Sequence, residues 1–479
     1  MNSRFHEFAF SNFVEHNYCI LQLEGHMYDS SQKSFKNLDW TMARTISLSI
    51  LVGLMAALAA KGLLIAIKFT QNYLHPVPIQ QLVQKQGIEN AMLTFWDVGT
   101  LVIFGLVVGL LTHYLMPNRM NRGLSHVIED IHFNKGQTGV REGLSVGLIS
   151  AVSIGAGASV GRYGPAVHLG AAAASGVGTF FNLSDQEKLT LSCAGIAAAI
   201  SASFLAPLAA VIFVQEVVLR QWKIYQFIPT AAAAVTASEI AKTLDVHFTI
   251  PSKIIPDFVP PYEFILFGLI GVLCAFVAIA FNHMLPKAAG WVAKYVKVDN
   301  RIKPAIGGLI LGGIGFAYPS VLGLGSYETQ MAVAGEIALK LCLILLVLKF
   351  VATIVSLAFG FNGGVFGPSL FMGAMIGASV GFVAEGSGIT ISGISLYAIA
   401  GMGATVAAVI GAVFAAIIAM IEMTGKLSPS LPLLFSVTTA YVVLYLFSQS
   451  SLLVNQLKGR GKNPFVEIYA KDSKYEGIK

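Results

Sequence analysis

From Arg44 to Phe447, apolar windows of about 20 residues follow one another, each long enough to cross a hydrocarbon layer of about 30 Å as a helix. The connections between them are too short to form domains of their own. Composition agrees, with 55% hydrophobic and 12% charged residues, where a soluble globular chain carries about 25% charged. An ordinary soluble enzyme is excluded. The expectation is an all-α polytopic membrane protein with one membrane domain over residues 44–457, between a tail at 1–43 and a short basic tail at 458–479.

Charge is informative through its distribution. The formal net charge of +6, from 31 Lys+Arg against 25 Asp+Glu, is too small and too dispersed for a nucleic-acid footprint. Basic residues gather at Arg119, Arg122, Lys135 and Arg141, again at Lys287, Lys294, Lys297, Arg301 and Lys303, and in the tail from Lys458 onward. The positive-inside rule assigns these to the cytoplasm, and the basic-poor connections at residues 80–97, 251–263 and 318–328 to the opposite side. Both termini then lie inside. The first residues lack the basic, apolar and small-residue succession of a secretory signal, and fit either disorder or an amphipathic helix on the membrane face.

Metal and covalent chemistry find little support. Cys19, Cys193, Cys274 and Cys342 are scattered, three of them in apolar segments, and the ten histidines lack the i, i+3 or i+4 spacing that puts two ligands on one helix face. No metal, organic cofactor or nucleophile-and-base constellation is expected.

Comparing the chain with itself is more informative. Gly161-Arg162-Tyr163-Gly164-Pro165 through Gly170 and Gly364-Val365-Phe366-Gly367-Pro368 through Gly373 share the pattern GxxGPxxxxG, at an offset of 203 residues. Ala194-Gly195 through Glu216 and Ala400-Gly401 through Glu422 repeat one another at an offset of 206. An internal duplication follows, with one copy over about residues 44–240 and the other over about 261–457.

Glycine permits irregular backbone ahead of a helix, and proline suits the first turn because its missing N–H would have no partner there. The remaining amides of that turn carry the positive end of the helix dipole and form a seat for an anion. Glycines that merely let helices pack closely are the plainer reading of any one such motif. Two copies at matching places favour a pathway, since broken backbone at membrane depth is tolerated where protein buries it or water reaches it.

These motifs resemble those of the CLC family of chloride channels and chloride/proton antiporters. Gly161 to Pro165 resembles its G(K/R)EGP motif, Gly364 to Pro368 its GxFxP motif, and the stretches ending at Glu216 and at Ile421-Glu422-Met423-Thr424 also resemble family segments. The resemblance covers nearly all of residues 44–457. It implies a homodimer in the lipid bilayer, each subunit having its own chloride-binding pathway between two inverted repeats whose broken helices meet at a central site. The amides of Arg162, Tyr163 and Gly164, and of Val365, Phe366 and Gly367, are then the anion ligands.

The departures concern the proton. Tyr163 stands where most members carry a gating glutamate, and a phenol with a reference pKa near 10 is about 0.1% ionised at pH 7. Val217 stands where the antiporters carry an internal glutamate, beside Glu216, which reads as a structural acid. Arg122 falls at the anion-coordinating serine of the inner motif. Its guanidinium would attract chloride by about 4 kcal/mol at about 4 Å, or else snorkel to the headgroups. Leu453 replaces the inner tyrosine, removing a donor. Tyr163, Phe366 and Leu453 are the gate candidates, and His168, one turn into its helix, reads as a packing histidine.

The expected function is passive transport of chloride or a similar small anion, in a bacterial inner membrane. The alternatives are a chloride/proton antiporter using another acid, Glu216 or Glu129, and a non-transporting scaffold closed by Tyr163.

Overall fold

A computed structural model describes residues 40–462 and 464, apart from 76–77, 89–90, 118–120, 247–249, 251–258, 449 and 463. Most of the two expected tails lies outside these residues, as does Cys19. The first half contains α1 (Trp40–Leu74), α2 (Ile79–Gln86), α3 (Phe95–Leu115), α4 (Leu124–Phe133), α5 (Val140–Ala156), α6 (Tyr163–Phe180), α7 (Asp185–Phe204), α8 (Pro207–Phe213), which runs into a π-helical turn at Val214–Leu219, and α9 (Ile224–Leu244). The second contains α10 (Glu263–Tyr295), α11 (Lys303–Ala317), α12 (Ser326–Ala334), α13 (Leu339–Ala358), α14 (Phe366–Gly386), α15 (Ile394–Ile410), α16 (Val413–Thr424), α17 (Ser430–Phe447) and α18 (Leu452–Gly459). Apart from α2 and the terminal α18, the order α1, α3–α9 recurs as α10–α17.

Six helical stretches among the described residues are long and apolar enough to cross a membrane: α1, α3, α10, α13, α14 and the stretch that begins at Ser430. Pro207–Leu219, α11, α15 and α16 are shorter apolar helices, and the chain breaks between α7 and α8 and again between α15 and α16. Long apolar side chains such as Phe69, Phe95, Ile103, Ile265 and Val347 remain exposed on the outer helices, a surface that lipid would cover.

Glycine sets how closely the helices meet. A Cβ on Gly170 would collide with the Gly195 carbonyl and the reverse, which locks α6 to α7; Gly373 and Gly401 do the same for α14 and α15. The last glycine of each repeated motif is therefore a packing residue. Across the two halves, a Cβ on Gly105 of α3 would strike Pro304 of α11, and one on Gly308 of α11 would strike Leu101 of α3. Each contact maps onto the other by the same 203-residue offset found in the motifs. A two-fold relation between the halves requires this reciprocity.

Candidate functional site: two helix ends and an aromatic plug

Between α5 and α6 the chain turns at Gly157, whose φ of 110° is open to glycine, and reaches Gly161. Gly161 N–H donates to Gly364 O and Gly364 N–H donates to Gly161 O, both at 2.7 Å, so the two breaks meet as one antiparallel bridge. Ser159 N–H donates to Ser356 Oγ at 3.0 Å, and Asn362 N–H to Ser153 Oγ at 3.1 Å. These two bonds are also repeat mates. Each half thus uses a serine hydroxyl to satisfy backbone that its own helices cannot.

From this bridge α6 and α14 start in opposite senses, at Tyr163 and Phe366, each with proline as its third residue. Neither start has a side-chain cap, whereas α3 and α7 are capped by Thr94 and Ser184. The first amides of a helix have no acceptor within it. The two motifs meet here at one waist: a Cβ on Gly161 would lie 3.0 Å from Gly367 N, and one on Gly364 would lie 3.0 Å from Gly164 N.

A cavity of about 500 Å³ rises to this waist, lined by Arg122, His126, Tyr163, Asn362, Phe366, Leu453 and Arg460 among others. At its closed end Tyr163 packs on Phe204 with ring centroids 4.1 Å apart and meets Phe366 edge-on at 5.6 Å, while Phe204 and Phe366 lie 4.9 Å apart. Tyr163 and Phe366 were legible as gate candidates. Phe204, the third ring, was not, because it is one apolar residue ending an apolar helix. The available signal was the break that follows it, and the fact that its repeat mate Ile410 lines the same cavity. Behind the rings lies a small second cavity lined by Phe204, Phe366, Ala209, Ala415, Ala416 and Met420.

Arg162 leans over the Tyr163 ring, its Cζ 5.3 Å from the centroid, and donates through Nη2 to Val246 O at 3.1 Å. Leu453 is buried on α18 at the cavity wall. Arg122 lines the cavity but is held by two carboxylates: Nη2 bonds both oxygens of Asp130, at 3.0 and 2.9 Å, and Nη1 bonds Glu142. The bare cation considered from sequence is thus a largely balanced one. Asp130 and Glu142 come from α4 and α5, too far along the chain for local spacing to announce them.

On α4, burial first, and then the positive charges of Arg460 and Arg122, hold the His126 pKa down to about 3. His126 is neutral at pH 7. Glu129, on the same helix, pairs with Arg460 at 3.3 Å and Lys462 at 2.5 Å, tying α4 to the end of α18. His168 is fully buried and bonds Gly123 O through Nε2 at 2.9 Å, a packing contact between α6 and the start of α4.

The acids near the breaks are engaged. Glu216 accepts the amides of Val413, Phe414 and Ala415 at 2.7, 3.1 and 2.9 Å, and Glu422 those of Leu208 and Ala209 at 3.0 and 2.8 Å. Val217 is buried beside Glu216. Lys349, which sequence reading passed over within an apolar helix, is fully buried and donates to Val321 O and Gly323 O at 3.0 Å each. Among the described residues no group of three or more metal-ligating side chains gathers.

A model of the voltage gated chloride channel family matches residues 104–445. The chain is 29% identical over 363 residues to a ClcB-like chloride channel protein of Ralstonia nicotianae, covering 74% of this chain and 83% of that one. It is 26% identical over 449 residues to the H(+)/Cl(-) exchange transporter ClcA of Vibrio cholerae, covering 89% and 92%. The structure of a slow cyanobacterial Cl-/H+ antiporter superposes with a TM-score of 0.75 at 23% identity, covering 87% of this chain and 98% of that one, a likeness of fold. With two GxxGP breaks meeting at its centre and the family model matching most of its length, the chain belongs to the voltage gated chloride channel family, the CLC proteins.

Proposed function

We propose that this member of an anion-transporting family conducts chloride or a similar small anion passively through the waist between α6 and α14, without stoichiometric proton exchange. The observation that carries the reading is the chemistry of the two proton positions. Tyr163 is packed between aromatic rings, Val217 cannot hold a proton, and the neighbouring Glu216 has its carboxylate on three amides. The helix-end cradle for an anion is retained, with both ends uncapped.

Proton-coupled exchange is the second reading, favoured by the names of the Vibrio relative and the cyanobacterial neighbour. It needs a carrier other than Tyr163, and Glu129 is ion-paired with Arg460 and Lys462. A closed scaffold is the third, favoured by the three-ring plug. The first reading includes a homodimer, bound chloride, and a bacterial plasma membrane with both termini cytoplasmic, in keeping with the basic connections.

The test is chloride efflux and proton movement recorded together in proteoliposomes. Chloride flux with no proton movement supports passive conduction. Protons driven uphill by chloride overturn it in favour of exchange, and no flux from folded protein, unrestored by Tyr163→Ala, supports the scaffold.

A further inference from the structure

The cavity below the plug is an unusual approach for a strongly hydrated ion. Leu124, Ile200, Phe204, Phe213, Leu285 and Leu453 account for much of its wall. Its two arginines are each paired with carboxylate, Arg122 with Asp130 and Glu142, Arg460 with Glu129. Burial keeps His126 uncharged. No surplus positive charge therefore compensates an anion for the water it leaves behind on entering, and that cost is largest for small, strongly hydrated ions.

Two residues of the wall keep a buried donor without a protein acceptor: Arg122, whose charge is balanced, through Nε, and Asn362, which is neutral, through Nδ2. Asn362 sits in the break ahead of α14, two residues before the bridging Gly364, and is 3% exposed. Its backbone N–H is fixed to Ser153 Oγ, the residue belongs to the cavity lining, and its buried Nδ2 has no protein acceptor. A buried amide donor without a partner carries a cost that a ligand can relieve.

We propose that Asn362 is an anion ligand of the waist, and that the seat, built from neutral donors in an apolar wall, selects weakly hydrated anions: thiocyanate, iodide and nitrate ahead of chloride, with fluoride last. This rests on the transport reading for its setting. Donor number and field strength in a site can give selection of this kind.

The experiment is a potassium-salt series of the five anions on the purified full-length protein. Calorimetric binding in detergent is measured beside flux in proteoliposomes. Thiocyanate is expected to bind at least about tenfold more tightly than chloride, with fluoride weakest. Asn362→Ala is expected to weaken chloride binding about tenfold, with Asn362→Ser, which keeps a donor, intermediate. A merely structural asparagine would lower the melting temperature and leave the affinities alone, and that result overturns the ligand assignment. Chloride or fluoride binding as tightly as thiocyanate overturns the selectivity, whichever variants fold. Binding in the expected order without flux upholds the site while removing the transport reading.

Discussion

Glu216 and Glu422 each cap the helix that leads to the other: the Glu216 carboxylate closes the start of α16, which ends near Glu422, and the Glu422 carboxylate closes the start of α8, which runs on to Glu216. A negative group there satisfies orphan amides and meets the positive end of the helix dipole. Replacing either by glutamine is expected to lower stability by about 1–3 kcal/mol, seen as a lower melting temperature in detergent, with flux per folded protein retained. A loss of proton movement in Glu216→Gln, absent from Glu422→Gln, would contradict a capping role.

Tyr163→Ala removes two ring contacts from the plug. Each such pair contributes about 0.5–1.5 kcal/mol, so efflux is expected to rise about tenfold or more. Phe204→Ala should act in the same direction. Ala416→Leu, which fills the small cavity behind the rings, should lower efflux if the rings must move to pass an ion. Efflux assays on the three variants check this.

Gly195→Ala and Gly401→Ala push a methyl into a facing backbone carbonyl, so each is expected to destabilise by about 1–3 kcal/mol or to prevent folding. Gly290→Ala on α10 meets open space and should be neutral, or stabilising by up to about 1 kcal/mol through helix propensity. Melting temperatures of the three variants check this.

The Glu129 latch has a defined pH window. Burial opposes the Glu129 charge, but Lys462 and Arg460 outweigh it and hold the carboxyl below its usual value. A depressed carboxylate contributes stability above its unfolded pKa, near 4.3, and loses it as pH falls through the folded value. The contact between α4 and α18 is therefore expected to hold from about pH 5 to 8 and to loosen below about pH 4. Glu129→Gln should show the loosened state already at pH 7, read as faster amide exchange in α18. Because His126 stays neutral, His126→Gln should leave the pH dependence of flux between about 5 and 7 unchanged.

What the sequence made legible was whatever the backbone alone encodes. Glycine and proline at fixed spacing mark a break and a helix start wherever they occur, so Gly161–Pro165 and Gly364–Pro368 could be matched before any contact was known. Side-chain partners carry no such spacing. Asp130 and Glu142, which engage Arg122, lie on two different helices, and the Glu216 carboxylate finds its amides in the other repeat. Phe204 and Asn362 were silent for another reason: one is apolar among apolar residues, and the other is a single amide in a loop whose meaning depends on the cavity it lines. The repeated Gly170 and Gly373 were legible as a pattern, but their purpose, contact between neighbouring helices, belongs to packing.

The Gly161–Gly364 bridge bears on how such a pathway can switch sides. Many duplicated transporters rock one repeat against the other about a midplane site. Here the repeats are fastened to each other by two reciprocal hydrogen bonds, flanked by the Ser159–Ser356 and Asn362–Ser153 bonds. Such a waist resists opening like a book. Passage through it falls instead to parts that can swing while the frame stays shut, and the rings of Tyr163, Phe204 and Phe366, next to an alanine-lined recess, are such parts.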